Sequence, residues 1–403
     1  MGSKRPDRRG FIKGGAALAG GLTLGTVAPA LGQTPGSQTF IKGNEELVLY
    51  GERSPFVTSV RMQHPPGGRP SPDAYGLYFH IAAPLQDSVG MITPSSLHFV
   101  GTTRGSFIPD IDPQEHRLMI HGMVDRPLTF TMEDLKRLPS VTRPHFIECA
   151  GNRSRPKHKT VQETHGMTSC AEWTGVLLSV LLKEAGVQDG AIQVAFEGLD
   201  GPVLPDTPDF TKSLELAHAM DGEVMLAWAM NGEDLPWLNG YPLRLVVPGH
   251  YGTYWVKHLN QIIVRDTPLD SFWMTTAYRI PDNSCACVEP GTKPETTVPI
   301  ARFNVRSFTT NVLDGAAVAA NAPLALRGIA FDGGSGITEV SVSADDGKTW
   351  QKASLGEDMG KYAFREWTLS MPVASGEVSL LVRATNANGQ TQPMQAQWNP
   401  SGY

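Results

Sequence analysis

The sequence predicts a fold of α+β class, in which a mixed α+β domain is followed by an all-β sandwich of immunoglobulin type. Three observations point there. At 403 residues the chain is too long for one ordinary core. Strand and helix signals alternate from about residue 96 to residue 264, the pattern of a mixed domain. Past Pro299 the pattern changes to short alternating strands separated by Asp-Gly and Asn-Gly turns, which is how a sandwich reads.

Taken in order, the chain begins with Asp7-Arg8-Arg9-Gly10-Phe11-Ile12-Lys13, a weakly apolar stretch, and Ala28-Pro29-Ala30. This reads as a twin-arginine export signal over residues 1–30, and it predicts a periplasmic protein. Residues 31–95, rich in Pro, Gly and polar side chains, read as an extended arm, with His64 and His80 as surface or packing residues. The mixed domain is expected over residues 96–295. A strand at 118–124 precedes a short helix with Thr131 as N-cap, Glu133 and Asp134 in the first turn and Pro139 as its stop. Beyond an apolar run that ends at Cys149, residues 175–185 show a helical apolar face through Val176, Leu177, Val180 and Leu181. A strand at 192–196, a short helix at 214–220 and a strand at 243–249 complete this domain. The boundary falls in 290–299. The sandwich then covers residues 296–403, with strands at 324–331, 337–344 and 378–384, and Trp350 is placed to plug its core.

Composition narrows the class of function. Removing residues 1–30 leaves 29 basic and 39 acidic side chains, an acidic surface unsuited to nucleic acid and attractive to a basic redox protein. No apolar stretch past the N-terminus is long enough to span a bilayer, so an integral membrane protein is not expected. Of the four cysteines, Cys285-Ala286-Cys287 is too closely spaced for a comfortable disulfide and lacks the C-x-x-C-H of haem attachment.

The chemistry centres on residues 145–156. An apolar strand ends in Cys149, and Ala150-Gly151-Asn152 follows at once, which puts the thiol where a strand becomes a tight turn. Arg153, Arg155, Lys157, His158 and Lys159 lie just beyond, and a positive field favours the thiolate that binds a soft metal. The plain alternative is a small buried hydrophobe. Further on, Arg244 and Lys257 offer a guanidinium fork and a point charge, the pair that a buried phosphate requires. Solvated charges at strand ends are the plain reading there.

The segment Glu148-Cys149-Ala150-Gly151-Asn152-Arg153 resembles the metal-binding segment of the sulfite oxidase family, and the resemblance extends over roughly residues 96–403. It implies Cys149 as the protein ligand to molybdenum in a molybdenum–molybdopterin (Mo-pyranopterin) cofactor. Residues 241–249, Tyr-Pro-Leu-Arg-Leu-Val-Val-Pro-Gly, are similar to the family segment whose arginine contacts the pterin phosphate, and Lys257 follows at the family spacing. The resemblance also implies a pterin-facing role for Asp200 and for Asn239, which stands where relatives often have histidine. Tyr278, five residues after Trp273, is implied to hydrogen-bond near the metal, and Arg104 stands near the family's substrate arginine. Ser401 occupies a place where animal members carry an arginine, so anion binding leans on other arginines such as Arg153 and Arg155. Residues 342–350 are similar to the family's V-S-x-D-G-G-x-T-W.

These implications describe a molybdenum sulfite dehydrogenase that passes electrons singly to a c-type cytochrome and forms a homodimer or heterodimer. The sulfane dehydrogenase subunit of a thiosulfate-oxidising complex is the alternative within the family. A secreted, non-catalytic binding protein is the alternative from another class, and a cysteine hydrolase built on Cys149 with His145 or His158 lacks a local partner to orient its base.

Overall fold

The computed structural model describes residues 61–64, 80–102, 108–153, 158–200 and 208–403. The export signal lies outside the described residues. Three short strands, β1 (Met62–His64), β2 (His80–Ala82) and β3 (Val100–Gly101), form one antiparallel sheet. The chain then runs β4 (Leu118–Gly122), β5 (Leu128–Phe130), α1 (Met132–Arg137), β6 (Ser140–Glu148), α2 (Val161–His165), β7 (Thr168–Leu177) and α3 (Leu178–Ala185). It continues as β8 (Gln193–Gly198), β9 (Thr211–Glu215), α4 (Leu216–Ala219), β10 (Met225–Met230), β11 (Glu233–Asp234), β12 (Arg244–Val246), β13 (Leu259–Arg265) and α5 (Phe272–Thr275). Short helices among many strands make this a mixed domain, as the sequence predicts.

Two five-stranded sheets organise it. One runs β11-β10-β7-β6 with β12 against β10, and the other runs β5-β4-β13-β8-β9, in which only β4 and β13 are parallel. Strands β6 and β7 form a long hairpin with register from Ser140 opposite Val176 to Glu148 opposite Thr168. Cys149 therefore sits immediately beyond the last paired residue. Helix α1 starts where Thr131 predicts it: the Thr131 hydroxyl accepts from the Asp134 N–H, and the Asp134 carboxylate accepts from the Thr131 N–H.

The helix expected from residue 175 begins instead at Leu178, because Gly175 belongs to the sheet. Gly175 pairs with Ala227, and a Cβ there would stand 1.9 Å from the Leu226 carbonyl oxygen. That close approach holds the chain in β7 for three more residues. The helix expected over 214–220 is likewise shortened, since Thr211–Glu215 is an edge strand paired with β8.

After a ribbon of β14 (Arg279–Pro281) and β15 (Thr297–Pro299), seven strands follow: β16 (Arg306–Thr309), β17 (Pro323–Phe331), β18 (Ile337–Ser343), β19 (Gln351–Lys352), β20 (Ser354–Leu355), β21 (Arg365–Pro372) and β22 (Leu381–Asn386). Sheets β16-β17-β21-β20 and β19-β18-β22 pack around Leu326, Ala330, Val340, Val342 and Trp367. Trp367, not Trp350, is the core tryptophan. Trp350 ends a turn and lies half-buried beneath the Arg383 guanidinium, 4.0 Å from its ring, whereas Trp367 takes an inward position of β21.

Cys285 and Cys287 form a disulfide, contrary to expectation. Ala286 adopts a positive φ of 49°, which folds the chain back so that the two sulfurs meet, and Asn283 bonds the Cys287 N–H and carbonyl. Cys170 is fully buried, and burial pushes its thiol up to about 12.

Phe308 and Phe331 leave the sandwich to join Phe146, Phe303 and Phe364 in the core of the mixed domain. The ring centroids of Phe146 lie 4.5 Å from Phe331 and 4.9 Å from Phe303. The two parts share one aromatic joint. Phe146→Ala is expected to cost about 3–5 kcal/mol, measured by chemical denaturation. Far-ultraviolet circular dichroism and tryptophan fluorescence are expected to report one coincident transition in the parent protein.

Candidate metal centre

Cys149 is held by the ends of its own hairpin. Its N–H donates to the Met167 carbonyl at 3.0 Å, its carbonyl accepts from Asn152 at 2.9 Å, and the Gly151 N–H points at its sulfur from 3.4 Å. The turn is tied down from behind. Glu148, 1% exposed, accepts from the Asn152 side chain at 2.7 Å and from the guanidinium of Arg306 on β16. Arg306 also donates to the Asn152 carbonyl at 3.2 Å and reaches His165 Nδ1 at 2.8 Å, while His165 stacks on Phe308 at 4.0 Å. Burial pushes the Glu148 carboxyl up, and the Arg306 charge and the Asn152 bond pull it back.

The half-buried Cys149 lines a cleft together with Phe210, Tyr278, His98, Asn239, Arg244 and Lys257. Arg244, 3% exposed, lies against both the Trp173 and Trp255 rings, at 4.9 and 5.6 Å. It donates to the Asn239 carbonyl at 2.8 Å and the Trp255 carbonyl at 3.2 Å. Among the described residues no carboxylate pairs with it, and burial lowers it to about 9. Lys257 donates to the Gly101 and Leu238 carbonyls at 2.8 and 3.1 Å. Burial lowers it to about 8, against the charge of buried Asp200, which raises it.

Several buried polar atoms here have no partner among the described residues, namely His98 Nε2, Asn239 Oδ1 and His258 Nε2. Burial lowers both histidines to about 3, so they are neutral. A buried guanidinium without an acid, a lysine beside it and unfilled hydrogen-bonding edges suit an anionic group with a polar ring, and a thiolate suits a soft metal. Phosphate and pterin edges meet those demands.

The other residues singled out from sequence fall differently. Tyr278 lines the cleft with a positive φ of 55°, its N–H donating to the Tyr403 hydroxyl at 3.3 Å and its ring stacked on Tyr403 at 5.2 Å. Arg153 is exposed and outside the cleft lining. Its guanidinium donates to the Gly402 carbonyl at 3.1 Å, which draws it toward the C-terminal segment rather than the sulfur. Arg104 and Arg155 lie outside the described residues. His80, read as a surface or packing residue, lines the cleft because β2 pairs with β3 at its rim. Sequence reasoning missed His98, Arg306 and Lys212. Only Lys212 left a trace, as a charge inside a strand whose neighbours are buried.

The "Oxidoreductase molybdopterin binding domain" model matches residues 105–273, and the "Mo-co oxidoreductase dimerisation domain" model matches residues 297–403. Sulfite oxidase of Gallus gallus is 32% identical over 322 residues, covering 75% of this chain and 68% of that protein. The chain belongs to the sulfite oxidase family. Mitochondrial sulfite oxidase of Mus musculus is 33% identical over 325 residues, and NADH nitrate reductase of Volvox carteri is 32% identical over 377. The chain spans 58% and 42% of the length of those two relatives. Among solved structures, sulfane dehydrogenase SoxCD from Paracoccus pantotrophus superposes with a TM-score of 0.70 at 28% identity, covering 97% of this chain and 90% of that one.

As in the rest of the sulfite oxidase family, the cofactor is molybdenum–molybdopterin. Cys149 would ligate the metal, and Arg244, Lys257, Asn239 and His98 would hold the pterin and its phosphate.

Two outcomes follow for these residues. Arg306→Gln leaves the Glu148 carboxylate buried without its cation and is expected to cost about 3–5 kcal/mol of stability by denaturant titration, with Glu148→Gln in the same chain recovering at least half. Arg244→Gln is expected to lower molybdenum per chain about tenfold, by elemental mass spectrometry, with unchanged circular dichroism.

Proposed function

We propose that this molybdenum oxidoreductase oxidises sulfite to sulfate in the periplasm and passes the electrons singly to a c-type cytochrome. The balance is sulfite plus water to sulfate, two protons and two electrons. The observation that carries the reading is the cleft itself, which brings the Cys149 sulfur and Tyr278 into one lining whose buried charges, Arg244 and Lys257, are cations. Such a cleft favours a small anion beside the sulfur.

The bound cofactor supplies two-electron oxygen-atom transfer. Cys149 provides a thiolate donor from a turn that the Glu148–Arg306 pair keeps rigid. Tyr278, in the same lining, orients the anion. Ile147 and Phe210 add apolar walls that exclude water. This sequence carries no C-x-x-C-H motif, and a separate c-type cytochrome is the acceptor in this reading. The acidic surface suits a basic acceptor. The twin-arginine sequence at Arg8 and Arg9 supports export after cofactor insertion. The match to a Mo-co dimerisation domain supports a dimer. No helix among the described residues is long and apolar enough to cross a membrane.

The likeness to a sulfane dehydrogenase over 97% of the chain favours a second reading, in which the substrate is sulfane sulfur carried by a protein. Sulfite-dependent reduction of cytochrome c by purified, molybdenum-loaded protein separates the two. Turnover with sulfite alone is expected, and Cys149→Ser is expected to lower it at least about a thousandfold while the fold is kept. Loaded protein inert toward sulfite, or an active Cys149→Ser, would falsify the sulfite reading.

A further inference from the structure

Lys212 is fully buried on the edge strand β9, opposite Phe196 of β8. Its ammonium stands 4.8 Å from the Tyr254 ring centroid and 4.9 Å from that of Tyr278. It donates to the Trp273 carbonyl at 2.6 Å, and the thioether of Met274 lies 3.6 Å away. An ammonium has three donors, and among the described residues only one of these finds a strong acceptor.

The described groups facing Lys212 offer it no countercharge. From α5 come the Trp273 carbonyl and the Met274 sulfur. The turn after β12 contributes the phenol of Tyr254, whose hydroxyl is spent on the Ile300 carbonyl. Strand β14 contributes Arg279, a like charge. Toward the cleft stands Tyr278, and no carboxylate forms an ion pair with Lys212 among the described residues. Packing alone would be served better by an apolar side chain, because an unpaired buried cation costs stability.

Tyr278 separates this charge from the cleft. The cations of the lining, Arg244 and Lys257, are assigned to the cofactor, and Arg153 is engaged with Gly402. We propose that Lys212 is a positioning residue which, through the ring of Tyr278, supplies the positive field that holds a sulfur oxyanion beside Cys149. This rests on the oxyanion chemistry proposed above. Burial, and then the Arg279 charge, lower Lys212 to about 7. The field is therefore present below that pH and fades as pH rises through it.

Sulfate tests this without turnover, since it is redox-inert and carries the same charge from pH 6 to pH 8. Its binding to oxidised holoenzyme is measured by isothermal titration calorimetry. The parent protein is expected to bind about tenfold more tightly at pH 6 than at pH 8. Lys212→Arg, charged throughout, is expected to bind tightly at both. Lys212→Met is expected to bind weakly at both, with unchanged molybdenum content. Parent-like affinity and pH slope in Lys212→Met overturn the proposal. Should Lys212→Met not fold, a pH slope that persists in Lys212→Arg overturns it equally. Holoenzyme that shows the expected sulfate pattern but does not oxidise sulfite defeats the sulfite reading alone. Sulfite turnover with sulfate binding indifferent to Lys212 defeats the role of Lys212 alone.

Discussion

The ion pair between Arg306 and Glu148 is the constraint on which the metal centre depends. Glu148 is the last residue of β6, next to Cys149, and water does not reach its carboxylate. A carboxylate in that place is tolerated only with a cation and further hydrogen bonds. Arg306 and Asn152 supply them, and both also fix the backbone of the turn that presents the sulfur. The cation comes from the sandwich, so that module fixes the geometry of the Cys149 turn.

The aromatic joint makes this arrangement stiff. Phe146, two residues before Glu148, packs against Phe303, Phe331 and Phe364, and β16 carries Arg306 and Phe308 toward the same region. Movement of the sandwich relative to the hairpin would break apolar packing and the ion pair together. Close-packed interiors resist such displacements because few low-energy alternatives exist. Rigidity of the ligand turn follows from that packing rather than from the turn sequence, which is small and glycine-containing.

Charge in the cleft is distributed unevenly. Arg244 is stabilised by contact with two indole rings and by backbone carbonyls, none of which neutralises it. The histidines around it are neutral, so their role is hydrogen bonding. The chain as a whole is acidic, with a formal charge of −6, and its buried cleft is cationic. That contrast suits the protein acceptor and the small anion proposed above.

Much of this was legible before folding, where it depends on neighbours in the chain. Hydrophobic alternation and the abrupt Ala150-Gly151-Asn152 turn place Cys149 at a strand end, and the Thr131 capping box starts α1, while the phosphate role of Arg244 and Lys257 is implied by the family resemblance. The sequence by itself thus determined the order of elements and the type of chemistry. Only the tertiary structure decided which charges meet. Arg306 reaches Glu148 across 158 residues, Lys212 comes to lie under Tyr278, and Gly175 is claimed by a sheet neighbour in β10. Local pattern specifies periodicity and turns, whereas these contacts arise from strand register and domain packing, which bring together residues that share no local signal.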